Sequence, residues 1–165
     1  MPELAINLDA TVDFLVGLLN TPSPTGYYVE AIDYVRKAFE AIPGLELSTT
    51  SKGALVATWR GSDSDAPRGV TAHVDTLGLM VKEIKSSGRL KMTLLGGFMW
   101  NAVEWEGVTI RTQDNRRYRG TVLPSNPSTH VNNKLGSMER TADLMEVRID
   151  ARTTSAAETR ALGIE

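Results

Sequence analysis

The chain has 165 residues, 41% hydrophobic and 23% charged, with a formal net charge of -2. This is the balance of a folded globular protein that can bury roughly two-thirds of its unfolded surface, and it excludes a disordered chain. With so even a charge there is no basic footprint for nucleic acid or anionic lipid, and with no cysteine there is no disulfide or thiolate metal site.

The start, Met1-Pro-Glu-Leu-Ala-Ile-Asn7, lacks a basic region followed by an apolar one. No stretch approaches the roughly 20 apolar residues of a membrane span, so a cytoplasmic protein is expected. After Asn7 or Asp9, either a suitable N-cap, the residues Leu8, Val12, Leu15, Val16 and Leu19 recur at helical spacing. Thr21-Pro-Ser-Pro-Thr-Gly26 breaks that helix, because two prolines forbid continuation and Ser, Thr and Gly supply turn chemistry. Tyr28, Ile32, Val35, Phe39 and Ile42 trace a second amphipathic helix, stopped by Pro43-Gly44.

The period then changes to two. Leu45, Leu47 and Thr49 alternate, and Ala54 to Ala57 follow a tight connection at Ser51-Lys-Gly53, which predicts two paired strands. The segment 61–69, with Asp63 and Asp65, reads as a solvated polar loop, and Val70-Thr-Ala-His-Val74 as a short buried strand. Short strands continue from Leu79 to Lys85, through a Ser86-Ser-Gly88 turn to Leu90, Met92 and Leu94. Val108 and Ile110, then Tyr118 to Leu123, then Met145, Val147 and Ile149 extend the series towards a small barrel or sandwich. Ser155-Ala-Ala-Glu158 is a capping-box pattern opening a helix that Gly163 closes. The change of character falls between Asp75 and Gly78, so residues 1–77 form one portion and 78–165 another.

The segment richest in chemistry is Thr71-Ala-His-Val-Asp-Thr-Leu-Gly78. His73 and Asp75, two apart, share a face of a regular strand, and strand ends are where open α/β sheets bind ligands. An imidazole there can ligate a metal through one nitrogen while the carboxylate fixes its tautomer; the plainer alternative is a hydrogen-bonded pair at a strand end. His130, in Ser125-Asn-Pro-Ser-Thr-His130, reads as a loop residue. Phe98, Trp100 and Trp105 read as core or interface packing beside a Gly96-Gly97 turn. No His-Glu-x-x-His helix, Gly-x-Ser-x-Gly elbow or phosphate loop is present.

The order of these motifs resembles the glutamyl-aminopeptidase and tetrahedral-aminopeptidase family, family forty-two of the metallopeptidases. The likeness rests on Thr21 to Gly26, on Ala72-His-Val-Asp-Thr-Leu-Gly78, and on Gly96-Gly97 with Gly107-Val-Thr-Ile-Arg-Thr112 and Gly120-Thr-Val-Leu123. Met145-Glu-Val-Arg-Ile-Asp150 with Ser155 to Gly163 completes it. The resemblance implies an α/β fold: part of an α/β/α peptidase domain over 1–77, followed by an inserted small β-barrel dimerisation domain over 78–165, itself incomplete. It implies two divalent metals, zinc or cobalt, that activate water against the first peptide bond of a peptide, with a carboxylate base. His73 matches the first metal ligand, and Asp75 the catalytic-site acid that orients it.

The family's bridging Asp, Glu-Glu pair, further Asp and distal His lie downstream of the inserted domain, beyond Glu165. Thr76 stands where the usual motif has Glu, so the substrate residue stays open. The expectation is therefore an aminopeptidase represented by a chain that alone holds metal weakly and is inactive. A homodimer or larger assembly is expected, with peptide as substrate and neither nucleic acid nor membrane as partner. Two rivals remain: a non-catalytic self-associating module and, more weakly, a glucanase, for which no carboxylate pair is nominated.

Overall fold

The computed structural model describes residues 5–63 and 65–165. Met1 to Leu4, at the start, and Ser64, in the polar loop, lie outside the described residues. The chain divides into two compact units, one ending at Thr76 and the other beginning at Leu77.

In the first unit, helix α1 (Leu8–Leu19) begins at Asn7, whose side-chain Oδ1 accepts the Ala10 N–H at 3.1 Å. Of the two cap candidates it is Asn7 that satisfies an orphan amide of the first turn. Helix α2 (Val29–Glu40) meets α1 where Gly17 gives way to the Tyr34 ring, and Phe14 and Tyr34 stack with centroids 5.4 Å apart. Strands β1 (Leu45–Thr49) and β2 (Leu55–Trp59) form an antiparallel hairpin with Leu47 opposite Ala57. Its turn needs φ of +85° at Gly53, and a Cβ there would overlap the Tyr28 ring, whose hydroxyl donates to the Lys52 carbonyl at 2.8 Å. Both helices and both strands follow the sequence reading.

The expected strand over 70–74 does not form. Residues 70–75 join no ladder, and Val70 is 96% exposed. A strand persists only when its amides and carbonyls find a neighbour, and among the described residues β1 and β2 pair only with each other. An apolar, β-branched run is thus left as extended, unpaired chain. α1 is equally open: it buries no residue, and Leu8, Val12, Leu15, Val16 and Leu19 are all exposed.

The second unit is built differently. Strands β3 (Gly78–Ile84), β4 (Leu90–Leu95), β5 (Gly107–Arg111), β6 (Arg117–Pro124) and β7 (Met145–Ile149) form one antiparallel sheet in the order β3-β4-β7-β6-β5. The sheet is a curled half-barrel; among the described residues β3 and β5 remain its open edges, so the expected small barrel does not close. Leu90, Met92, Trp100, Ile110, Val122, Met145, Val147 and Ile149 fill its core. Helix α3 (Ala156–Ala161) carries both halves of the predicted capping box, with the Ser155 hydroxyl accepting from Glu158 N–H and the Glu158 carboxylate accepting from Ser155 N–H. The Thr159 hydroxyl donates to the Gly88 carbonyl at 2.8 Å, and Gly88 sits at φ +81° in the β3–β4 turn with no room for a side chain.

Three side chains depart from simple patterning. The aromatic cluster divides: Trp100 enters the core from a 3-10 turn (Trp100–Ala102), whereas Trp105 is largely exposed at φ +71°. Glu146, which strand alternation would turn to solvent, has a side chain only 4% exposed, held by Lys85 at 2.7 Å and by Arg89. The long β6–β7 connection is pinned by Arg140, which reaches both oxygens of Glu104 at 2.8 and 2.9 Å. No described helix is long and apolar enough to cross a membrane.

Candidate functional site

His73 and Asp75 meet, as their spacing predicts, although no strand carries them. His73 Nδ1 lies 2.8 Å from Asp75 Oδ1. An ionised carboxylate can only accept, so Nδ1 carries the proton, and in the neutral imidazole Nε2 keeps its lone pair. The imidazole is 85% exposed and the Asp75 side chain 47%. This is an outward-facing pair, not a core histidine satisfied by backbone.

A third residue, which the sequence reading passed over as helix-breaking punctuation, completes the arrangement. The Thr25 hydroxyl donates to Asp75 Oδ2 at 2.9 Å. Thr25 is brought there by the loop after α1. Thr76 N–H donates to the Ser23 carbonyl at 2.7 Å, Pro24 and Thr76 form a parallel bridge, and Tyr27 N–H closes the turn on the Pro24 carbonyl at 2.8 Å. The two prolines restrict the loop's backbone, and Ser23 is buried beneath it. The Thr25 hydroxyl, and after it the His73 imidazole, holds the Asp75 carboxyl below its ordinary value. The only advance signal was a hydroxyl residue between Pro24 and Gly26, fifty positions from its partner.

His130 lies in the second unit, exposed in a turn, as a loop residue. Asp63 and Asp65 are exposed, the Asp63 carboxylate accepting from the Asp65 amide at 2.9 Å. Thr76 contributes its backbone to the clamp on Ser23.

The fold of this chain is therefore mixed α/β with a curled antiparallel half-barrel. The profile of the M42 glutamyl aminopeptidase family matches residues 53–165, and the chain belongs to that family. It is 42% identical over 154 residues to the Bacillus subtilis (strain 168) protein YhfE, whose name assigns it provisionally to the aminopeptidases. That match takes in 93% of this chain and 44% of YhfE. The fold is similar to that of the TET aminopeptidase of a marine-sediment Thaumarchaeota archaeon, with a TM-score of 0.78 at 22% identity over 97% of this chain and 43% of that one. It is also similar to the Pyrococcus horikoshii TET1 peptidase, described as assembling into a tetrahedron or a large octahedral shell. There the TM-score is 0.70 at 18% identity over 92% of this chain and 43% of that one. The chain thus spans less than half the length of these relatives.

Members of the family use divalent metals. The anchored imidazole of His73 suits one ligand position, but zinc takes three or four protein ligands. Among the described residues no group of three or more His, Asp or Glu is gathered to hold an ion.

Proposed function

We propose that this chain corresponds to the amino-terminal part of a two-metal aminopeptidase that removes amino-terminal residues from peptides, with His73 in the first ligand position and Asp75 orienting it. The observation that carries this reading is the outward imidazole whose Nδ1 is held 2.8 Å from a carboxylate oxygen. Family membership supports the chemistry, and the 44% share of YhfE that the chain matches supports placing the further ligands outside residues 1–165. In this reading residues 1–77 belong to the peptidase domain, residues 78–165 to an inserted β-barrel domain that makes a twofold contact, and the protein is cytoplasmic. Two zinc or cobalt ions would be held mainly by residues outside this chain. Alone, the chain is expected to bind metal weakly and to be inactive.

The uncovered apolar stripe of α1 fits the same picture. Phe14, Gly17 and Leu18 face α2, whereas Leu8, Val12, Leu15 and Leu19 lie on the opposite side of the helix. A helix apolar on two sides is built to sit between two layers. The polypeptide corresponding to the relatives' remaining length supplies the second layer.

The test joins residues 1–165 to the portion of YhfE outside the match and assays the folded, zinc-loaded chimera for release of amino-terminal residues from a panel of peptides. Release that His73→Ala abolishes is expected. A folded chimera inert towards every member of the panel would defeat the reading.

The exposed α1 stripe also favours a second reading, a self-associating module that covers this face with another copy. Light scattering across dilution separates the two. A dimer or larger species that Leu15→Asp dissociates supports self-association through α1, and a stable monomer at micromolar concentration removes it.

A further inference from the structure

The Asp75 carboxylate has two oxygens, and each has its own donor: Oδ1 faces His73 Nδ1 at 2.8 Å, and Oδ2 accepts the Thr25 hydroxyl at 2.9 Å. We propose that Thr25 is a positioning residue: by holding Oδ2 it stops the carboxylate from rotating, so that Oδ1 keeps His73 in its Nδ1–H tautomer with Nε2 presented outward as a lone-pair donor. The inference rests on the reading of His73 as a ligand and deepens it by naming what orients the orienting acid.

Three features of this chain support the assignment. First, the pair is exposed, so packing does not hold the Asp75 side chain in one rotamer. A carboxylate near water with a single partner would exchange among rotamers, and a second directional bond is the simplest restraint. Second, Thr25 is delivered by a loop that is itself tied down, through the Thr76–Ser23 hydrogen bond of 2.7 Å and the parallel bridge of Pro24 to Thr76. The hydroxyl and the carboxylate are thus anchored on two strands of chain stapled to each other one residue away. Third, the Thr21 hydroxyl donates to the Gly17 carbonyl at 2.9 Å, which fastens the loop's first residue to the last turn of α1. Pro22 and Pro24 limit the freedom of the segment between these attachments. A threonine that merely capped or broke a helix would need none of this.

The test uses the chain without metal. Its two histidines make the ring nitrogens readable by long-range nitrogen–proton NMR at a pH where the imidazoles are neutral, with His130→Asn assigning the pair. His73 is expected in the Nδ1–H form. Thr25→Ala shifts the tautomer ratio about two- to fivefold towards Nε2–H, as expected for losing a hydrogen bond of ordinary net strength at an exposed site, and Thr25→Ser restores it. The backbone amides of α2 and the hairpin serve as the folding control. Should Thr25→Ala disturb them, Thr25→Val is read in its place. An unchanged His73 tautomer in a folded Thr25→Ala or Thr25→Val chain, or a Thr25→Ser chain that fails to recover it, overturns the proposal. In the YhfE chimera, Thr25→Ala is further expected to weaken zinc binding about two- to tenfold, with rescue by Thr25→Ser. A tautomer shift alongside an inert chimera would keep Thr25 in its role and sink the peptidase reading. An active chimera with no tautomer shift would do the reverse.

Discussion

The first unit of this chain is mainly helical and the second mainly strand, and they use their apolar residues in opposite ways. In the second unit Leu90, Val122, Met145 and Val147 are fully or almost fully buried within one sheet, and even a carboxylate, Glu146, is enclosed with two cations. In the first unit α1 buries nothing, and Val56, Trp59 and Val70 stand in solvent. A correct local pattern therefore makes the element but not its burial. Burial requires a second surface, and only the second unit supplies its own.

The sharpest way to break this comparison is to truncate one apolar residue in each unit. Leu90→Ala is expected to destabilise the second unit by about 2–5 kcal/mol, because it opens a cavity where no side chain can collapse inward without loss. Leu15→Ala on the exposed stripe is expected to change stability by less than about 0.5 kcal/mol in a monomer. Denaturant titration followed by fluorescence reads both, since Trp100 reports on the second core and Trp59 on the hairpin. Comparable losses at the two positions would mean that α1 is covered in solution.

The next effect concerns the enclosed charge. Glu146→Ala leaves Lys85 and Arg89 facing each other without a counter-ion, and a loss of about 2–4 kcal/mol is expected, below the full cost of breaking a buried pair because both cations are partly solvated. Glu146→Met should recover much of that loss if Lys85→Met and Arg89→Met accompany it. Thermal unfolding of the single and triple variants decides the point.

A smaller effect is expected at α3. Ser155→Ala removes the cap hydroxyl and should cost about 1 kcal/mol. The other half of the box is sensitive to pH. The amide of Thr154, its hydroxyl and Ser155 hold the Glu158 carboxyl below its ordinary value. A depressed carboxylate stabilises the folded state above its unfolded pKa and loses that contribution as pH falls through the folded one. Stability of the second unit should thus decline below the ordinary glutamate range, and Glu158→Gln should flatten that part of the profile in melts taken from pH 6 downward.

The smallest change is at Trp105. Its φ of +71° is costly for an aromatic residue, and its side chain is largely exposed, so Trp105→Asn should leave stability unchanged or raise it by up to about 1 kcal/mol. A loss of more than that would show that the indole is packed against another molecule.

Much of this was legible in the residues. Asn7 as a helix start, Pro43-Gly44 as a stop, the turns at Gly53 and Gly88 and the capping box at Ser155 and Glu158 all depend on atoms within a few positions of each other, so the sequence by itself determined them. The contact between His73 and Asp75 belongs with these, because two residues separated by one are close in any extended chain. Other features depend on partners that local sequence does not name. Val70 to Val74 has the composition of a buried strand but no neighbouring ladder to join. Glu146 is buried because β7 lies in the middle of its sheet and Lys85 and Arg89 arrive from the β3–β4 turn. Thr25 reaches Asp75 only because the chain returns, fifty residues later, to the loop that ends α1. Hydrogen bonds and hydrophobic contacts act over a few ångströms, and only the tertiary structure decides which distant residues come within that range.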